Sequence, residues 1–103
     1  VPCVALPPAE VERLRLTLER MIEENPNVRP ERLVSAHLED NPSAKEGVKG
    51  SNDFLELALN PAILDVVSQL IGPDICLWGC QVFCKLAGDG MAVPMHQDGH
   101  YWP

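Results

Sequence analysis

The apolar residues of this chain repeat at a helical period up to residue 71 and at a period of two from residue 76. Gly72-Pro73 stands between the two regimes. A pattern with a spacing near 3.6 cannot serve as a strand, and strict alternation cannot serve as a helix, so the switch predicts helices first and β structure afterwards. The first helix is expected from Pro7-Pro8, because Pro is tolerated in a first helical turn, to Asn25-Pro26, because the residue before Pro is pushed out of the α region. Val11, Leu14, Leu18, Met21 and Ile22 give it one apolar face, and Glu10, Glu12, Arg13, Glu19, Arg20 and Glu23 occupy the others. Ser51 is a candidate N-cap for a second helix over 52–59. Asn60-Pro61 opens a third, with Ile63, Val66, Val67, Leu70 and Ile71 at i, i+3, i+4, i+7 and i+8 and Gly72-Pro73 as its stop. Between the first two helices, 32–38 reads as a short extended piece and 41–50 as a polar loop.

From 75 to 86 the set Cys76, Trp78, Cys80, Val82, Cys84 and Leu86 predicts a strand with one buried face. Cysteines four apart on a strand are separated by about 13 Å, beyond the roughly 7 Å that a disulfide spans, so these three are expected as small core residues around a core Trp78. On a helix the same spacing would suit a soft metal, but the alternation speaks for the strand. Cys3 stands apart. Free thiols suit a reducing, cytoplasmic compartment better than a secreted disulfide scaffold. Ala87 to Gly90 is a turn, and a second extended segment is expected over 93–98.

With 103 residues the chain makes one small domain at most. Eight Lys plus Arg against 15 Asp plus Glu, a net charge of −7, argues against a nucleic-acid or anionic-membrane surface. No run of about 18 apolar residues is present, and the first residues lack the basic stretch of a signal peptide. A start at Val and a stop just after the densest polar and aromatic cluster suggest a piece of a longer protein. His37 lies in a polar stretch and is expected in solvent, as are Glu23 and Glu24.

That cluster is Pro94-Met95-His96-Gln97-Asp98-Gly99-His100-Tyr101-Trp102-Pro103. On a strand, His96 and Asp98 share a face with about 6.6 Å of rise between them. An imidazole and a carboxylate so placed can converge on one metal ion, as two legs of the 2-His-1-carboxylate triad that leaves open positions on Fe(II). His-x-Asp alone is a weak signal, equally at home in a capped turn or a satisfied polar pair.

The wider stretch is more specific. Gln81-Val82-Phe83-Cys84-Lys85-Leu86-Ala87-Gly88-Asp89-Gly90, a short spacer, and His96-Gln97-Asp98-Gly99-His100-Tyr101-Trp102-Pro103 resemble the phytanoyl-CoA dioxygenase family of non-haem Fe(II), 2-oxoglutarate-dependent oxygenases. Leu70-Ile71-Gly72-Pro73-Asp74 is similar to the segment before that family's first barrel strand. The resemblance covers about residues 51–103 well. It implies an α+β fold in which N-terminal helices (about 8–72) precede the first strands of a truncated double-stranded β-helix, or jelly roll (about 75–103), all within one oxygenase domain. It implies His96 and Asp98 as iron ligands, and Gln81, on the face opposite the cysteines, as a residue lining the 2-oxoglutarate pocket. Gln97, and a basic residue that is Lys45 or its rival Lys49, could contribute there; Lys85 fits a lysine common in the family's strand. His100, Tyr101 and Trp102 are candidates for the substrate wall, and His100 shares the parity of the two ligands.

The cofactor set so implied is Fe(II), 2-oxoglutarate as co-substrate and O₂. The reaction is hydroxylation of a small organic molecule coupled to decarboxylation of 2-oxoglutarate to succinate. A carboxylate at Asp98 favours hydroxylation over the halogenation of relatives that lack it. The family's distal His ligand and 2-oxoglutarate-binding Arg lie well downstream of its His-x-Asp motif and have no counterpart here. The expected fragment is therefore not competent alone, and open strand edges should make it aggregation-prone. Two other readings remain at this stage: a non-catalytic, cupin-like jelly-roll binding module, and a small interaction domain with a Cys-lined core.

Overall fold

The computed structural model describes residues 5–40 and 48–100. Three helices and a two-stranded antiparallel sheet make the fold α+β. Helix α1 spans Pro8–Glu24, α2 spans Asn52–Ala58 and α3 spans Pro61–Ile71; strand β1 is Leu33–Val34 and β2 is Gln81–Val82. Short 3₁₀ turns occupy Pro30–Arg32 and Asp98–His100.

The three helices begin and end where local chemistry dictates. Pro8 sits in the first turn of α1, where its missing N–H would be unpaired anyway. The Ser51 hydroxyl accepts the Asp53 N–H at 3.3 Å, and the Asn60 side-chain oxygen accepts the Ala62 N–H at 2.9 Å, capping α2 and α3. Gly72 closes α3 at φ 90, in the left-handed region that a Cβ would disfavour.

Leu14 and Met21 of α1, Ala36 and Phe54 form the core, with Leu6, Leu18, Leu57, Cys80 and Val82 packed against it. Leu33 and Val48 are also buried. The buried stripe of α1 is Leu14, Thr17 and Met21, so the expected apolar face is corrected at one end: Val11 lies 51% exposed, and Thr17 takes a core position. Thr17 can do so because its hydroxyl donates to the Asp53 carboxylate, which also pairs with Arg13. A buried hydroxyl without such a partner would be costly. This cluster fastens α1 to α2.

Asn25 ends α1 and is buried. Its side-chain nitrogen donates to the Met21 carbonyl at 2.7 Å, capping the helix, and to the Lys49 carbonyl at 3.0 Å. The β1–β2 pairing sets Leu33 opposite Val82 and Val34 opposite Gln81, and the Ala36 N–H extends the ladder to the Cys80 carbonyl at 3.0 Å. On its other side, Ala36 accepts from the Ser51 N–H and Leu38 from the Gly50 N–H, both at 2.8 Å.

The long strand expected over 75–86 is corrected to the two residues of β2. Alternation predicts a pleated segment, but a strand exists only where a partner backbone takes up its N–H and C=O groups, and β1 reaches only this far. The expected core around the cysteines is corrected with it. Cys76 is exposed and Trp78 is 84% exposed, while Cys80 and Cys84 are half-buried. The apolar face of α3 is only partly covered by described residues: Ile63, Val66 and Val67 are half-buried, while Leu70 and Ile71 remain largely exposed. The radius of gyration, 15.0 Å, is accordingly larger than the roughly 13 Å of a compact domain of about 100 residues. Among the described residues no single helix is long and apolar enough to cross a membrane.

Candidate metal-binding site

After β2 the chain runs through the turn at 87–89, where Gly88 takes φ 80, to Met91 and on to His96 with no ladder partner among the described residues. The second extended segment expected over 93–98 is corrected: among the described residues no strand forms there, and the chain passes directly into a turn. Asp98 opens a 3₁₀ turn in which the His100 N–H donates to the Gln97 carbonyl at 3.0 Å. His96 and Asp98 are therefore not neighbours on a strand face. The tighter rise of the turn brings them closer than a strand would, with His96 Nε2 at 3.3 Å from Asp98 Oδ1.

His96 Nδ1 stands 2.8 Å from the Pro94 carbonyl oxygen. A carbonyl can only accept, so Nδ1 carries the proton. In the neutral ring the lone pair is then on Nε2, the nitrogen that faces the carboxylate. With Nε2 protonated as well, the imidazolium pairs directly with the Asp98 carboxylate; with Nε2 bare, the two acceptors are a donor pair for a cation. Orientation of an imidazole through its second nitrogen is the usual support of a metal-bound His. Imidazole nitrogen and carboxylate oxygen ligate divalent metals at about 2.0–2.2 Å, so two donors at right angles stand about 3 Å apart. The 3.3 Å separation fits such a pair.

The remaining candidates are placed unevenly. Gln81 lies on β2, exposed, opposite the face on which Cys80 and Val82 meet the core. Gln97 and His100 are exposed in the turn itself. Among the described residues no third His, Cys, Asp or Glu completes a metal-holding group with His96 and Asp98, so the parity that links His100 to the pair is not realised in the turn. Lys45, Tyr101, Trp102 and Cys3 lie outside the described residues. Lys49 is exposed and pairs with Glu24 at 3.2 Å, and Glu23 and Glu24 are exposed as expected. The expectation for His37 is corrected: it is half-buried, and its buried Nδ1 has no hydrogen-bond partner among the described residues. Burial pushes the Cys80 thiol up, which suits its place beside the core and not a reactive thiolate.

Sequence reasoning missed the contacts that hold the approach to the site. Glu31 Oε1 accepts the Met91 N–H at 2.8 Å, and Arg29 donates to the Asp89 carbonyl at 2.7 Å. Arg29 also faces the carboxylates of Glu31 at 3.3 Å and Asp89 at 3.5 Å. The Met91 N–H first, then the backbone N–H of Glu31 itself, and then the Arg29 guanidinium hold the Glu31 carboxyl down to about 2. No local pattern announces pairs that are 60 residues apart.

Comparison with known proteins agrees with the motif. The family model described as phytanoyl-CoA dioxygenase (PhyH) matches residues 1–103. The chain is 32% identical over 97 residues to L-proline trans-4-hydroxylase of Streptomyces griseoviridis. That match covers 90% of this chain and 34% of the hydroxylase, so the chain spans about a third of its relative. No solved structure matches. By the match along its whole length, the chain belongs to the phytanoyl-CoA dioxygenase family.

Proposed function

We propose that this chain is the N-terminal part of an Fe(II)- and 2-oxoglutarate-dependent hydroxylase, with His96 and Asp98 as two ligands of the iron. The observation that carries the reading is the 3.3 Å approach of His96 Nε2 to Asp98, with the Nδ1 proton already committed to Pro94. Membership of a dioxygenase family and similarity to a proline hydroxylase support it.

In this reading the chain's residues divide the work. The Pro94 carbonyl fixes the ring of His96 so that Nε2 presents its lone pair without a rotamer search. Asp98 contributes a negative charge that lowers the cost of bringing a divalent ion out of water. When bound, the iron with 2-oxoglutarate and O₂ supplies the oxidising power for C–H hydroxylation. Gln81, Gln97 and one of Lys45 or Lys49 would line the co-substrate pocket, and His100, Tyr101 and Trp102 the substrate wall. The third ligand and the 2-oxoglutarate clamp would come from further sequence that completes a jelly-roll barrel. The proline hydroxylase makes free amino and imino acids the first substrates to test, with the small molecule hydroxylated at carbon.

The test is succinate formation by the full-length polypeptide with Fe(II), 2-oxoglutarate and a panel of free amino and imino acids. His96→Ala and Asp98→Ala should each abolish it. Turnover that survives both substitutions ends the reading.

A further inference from the structure

Between Val82, where β2 ends, and His96, the chain has no ladder partner among the described residues. Among the described residues, side chains of Arg29 and Glu31, just before β1, tie this stretch to the folded half. Arg29 donates to the Asp89 carbonyl at 2.7 Å and faces the Asp89 carboxylate at 3.5 Å. Glu31 accepts the Met91 N–H at 2.8 Å and faces the Arg29 guanidinium at 3.3 Å. The two side chains therefore brace each other while each holds one end of the short span from Asp89 to Met91. Their own backbone is fixed by the Pro30–Arg32 turn, which leads directly into β1 and its pairing with β2.

The path from this clamp to the site is short and stiff. Met91 is held; Val93 precedes a proline and is confined to extended conformations; Pro94 has its φ fixed by its ring. The carbonyl of that same Pro94 holds His96 Nδ1. A displacement at Met91 is therefore passed to the imidazole with little slack.

We propose that Arg29 and Glu31 are positioning residues for the His96–Asp98 pair, clamping the turn that delivers it. The proposal rests on the reading of that pair as metal ligands. Neither residue touches the pair, so their influence passes through Met91 and Pro94.

The experiment uses the full-length polypeptide with Co(II) as a spectroscopic probe, and amide hydrogen exchange read separately over α1 and over 86–98. Glu31→Ala should weaken Co(II) binding about 10-fold, the lower range for loss of an outer-shell support, and raise exchange over 86–98 while α1 keeps its protection. Glu31→Gln keeps an oxygen for the Met91 N–H but drops the charge facing Arg29, so it should fall between wild type and Glu31→Ala in both readouts. Arg29→Ala should loosen the same stretch. Wild-type Co(II) affinity in Glu31→Ala overturns the proposal, as does a loss of protection spread equally over α1. His96→Ala separates the two ideas: if it leaves Co(II) binding intact, the ligand assignment fails, while unchanged exchange at Met91 in Glu31→Gln and Glu31→Ala is a failure of the clamp alone.

Discussion

Asn25 and Lys49 hold each other in both directions: the Lys49 N–H donates to the Asn25 side-chain oxygen at 2.8 Å, and the Asn25 side-chain nitrogen donates to the Lys49 carbonyl at 3.0 Å. The amide thus imitates one rung of a sheet, and a third bond from the same nitrogen caps α1 at Met21. One buried side chain therefore joins the end of α1 to the segment that leads into α2. Asn25→Ala leaves the part-buried Lys49 N–H and carbonyl without this partner, while the Met21 carbonyl keeps the residue-25 backbone N–H, and a loss of about 1–3 kcal/mol is expected from denaturant unfolding. Asn25→Asp removes both donors and sets a carboxylate against two carbonyl oxygens, so it should be at least as damaging at neutral pH.

Gly50 should tolerate no side chain. A Cβ there would collide with the carbonyl oxygens of Leu38 and Ala36, both backbone atoms bonded to Gly50 and Ser51. Gly50→Ala is expected to cost more than about 2 kcal/mol, since the ladder must open to admit the methyl group. Gly79→Ala, with nothing within 4 Å of the added carbon, is the control and should stay within about 0.5 kcal/mol. Comparable losses in the two variants would disprove the steric argument.

Glu31 predicts an acid-sensitive turn. Its folded carboxyl lies at about 2, below the ordinary glutamate value of about 4.3. A depressed carboxylate contributes stability that is present above the ordinary value and is lost as the pH falls through the folded one. Protection of the Met91 amide should therefore be full above about pH 4.3 and decline towards pH 2. In Glu31→Gln the decline over that window should be smaller, measured as the difference from wild type so that other carboxylates cancel.

Thiol labelling should rank the cysteines. Cys76 is exposed, whereas Cys80 is half-buried against the core and its thiol is pushed up by that burial. A maleimide should modify Cys76 first at neutral pH, because the thiolate is the reactive form and access is greater. Faster labelling of Cys80 would contradict its place beside Ala36 and Phe54.

The helices were legible because the residues that start and stop them act within a turn. Pro8, Ser51, Asn60 and Gly72 each perform at their position the role that sequence alone suggests. The β half was legible in period but not in extent, because pairing depends on a partner backbone that alternation cannot specify. Trp78 illustrates this: its parity marks a buried face, and its 84% exposure follows from the lack of a described layer above it. At the site, the sequence pattern places His96 and Asp98 on one strand face, whereas the structure brings them to 3.3 Å beside a turn. Asn25, Arg29 and Glu31 escaped notice because their partners are 24 to 60 residues away.

The bond from His96 Nδ1 to the Pro94 carbonyl spans only two residues. The choice of tautomer is therefore made within a tripeptide, while the clamp at Met91 sets where that tripeptide sits. Folding of the helices and assembly of the sheet can proceed around a ring whose outward nitrogen is already chosen. A mutation in the distant core would then move the site as a unit before it disturbed the tautomer within it.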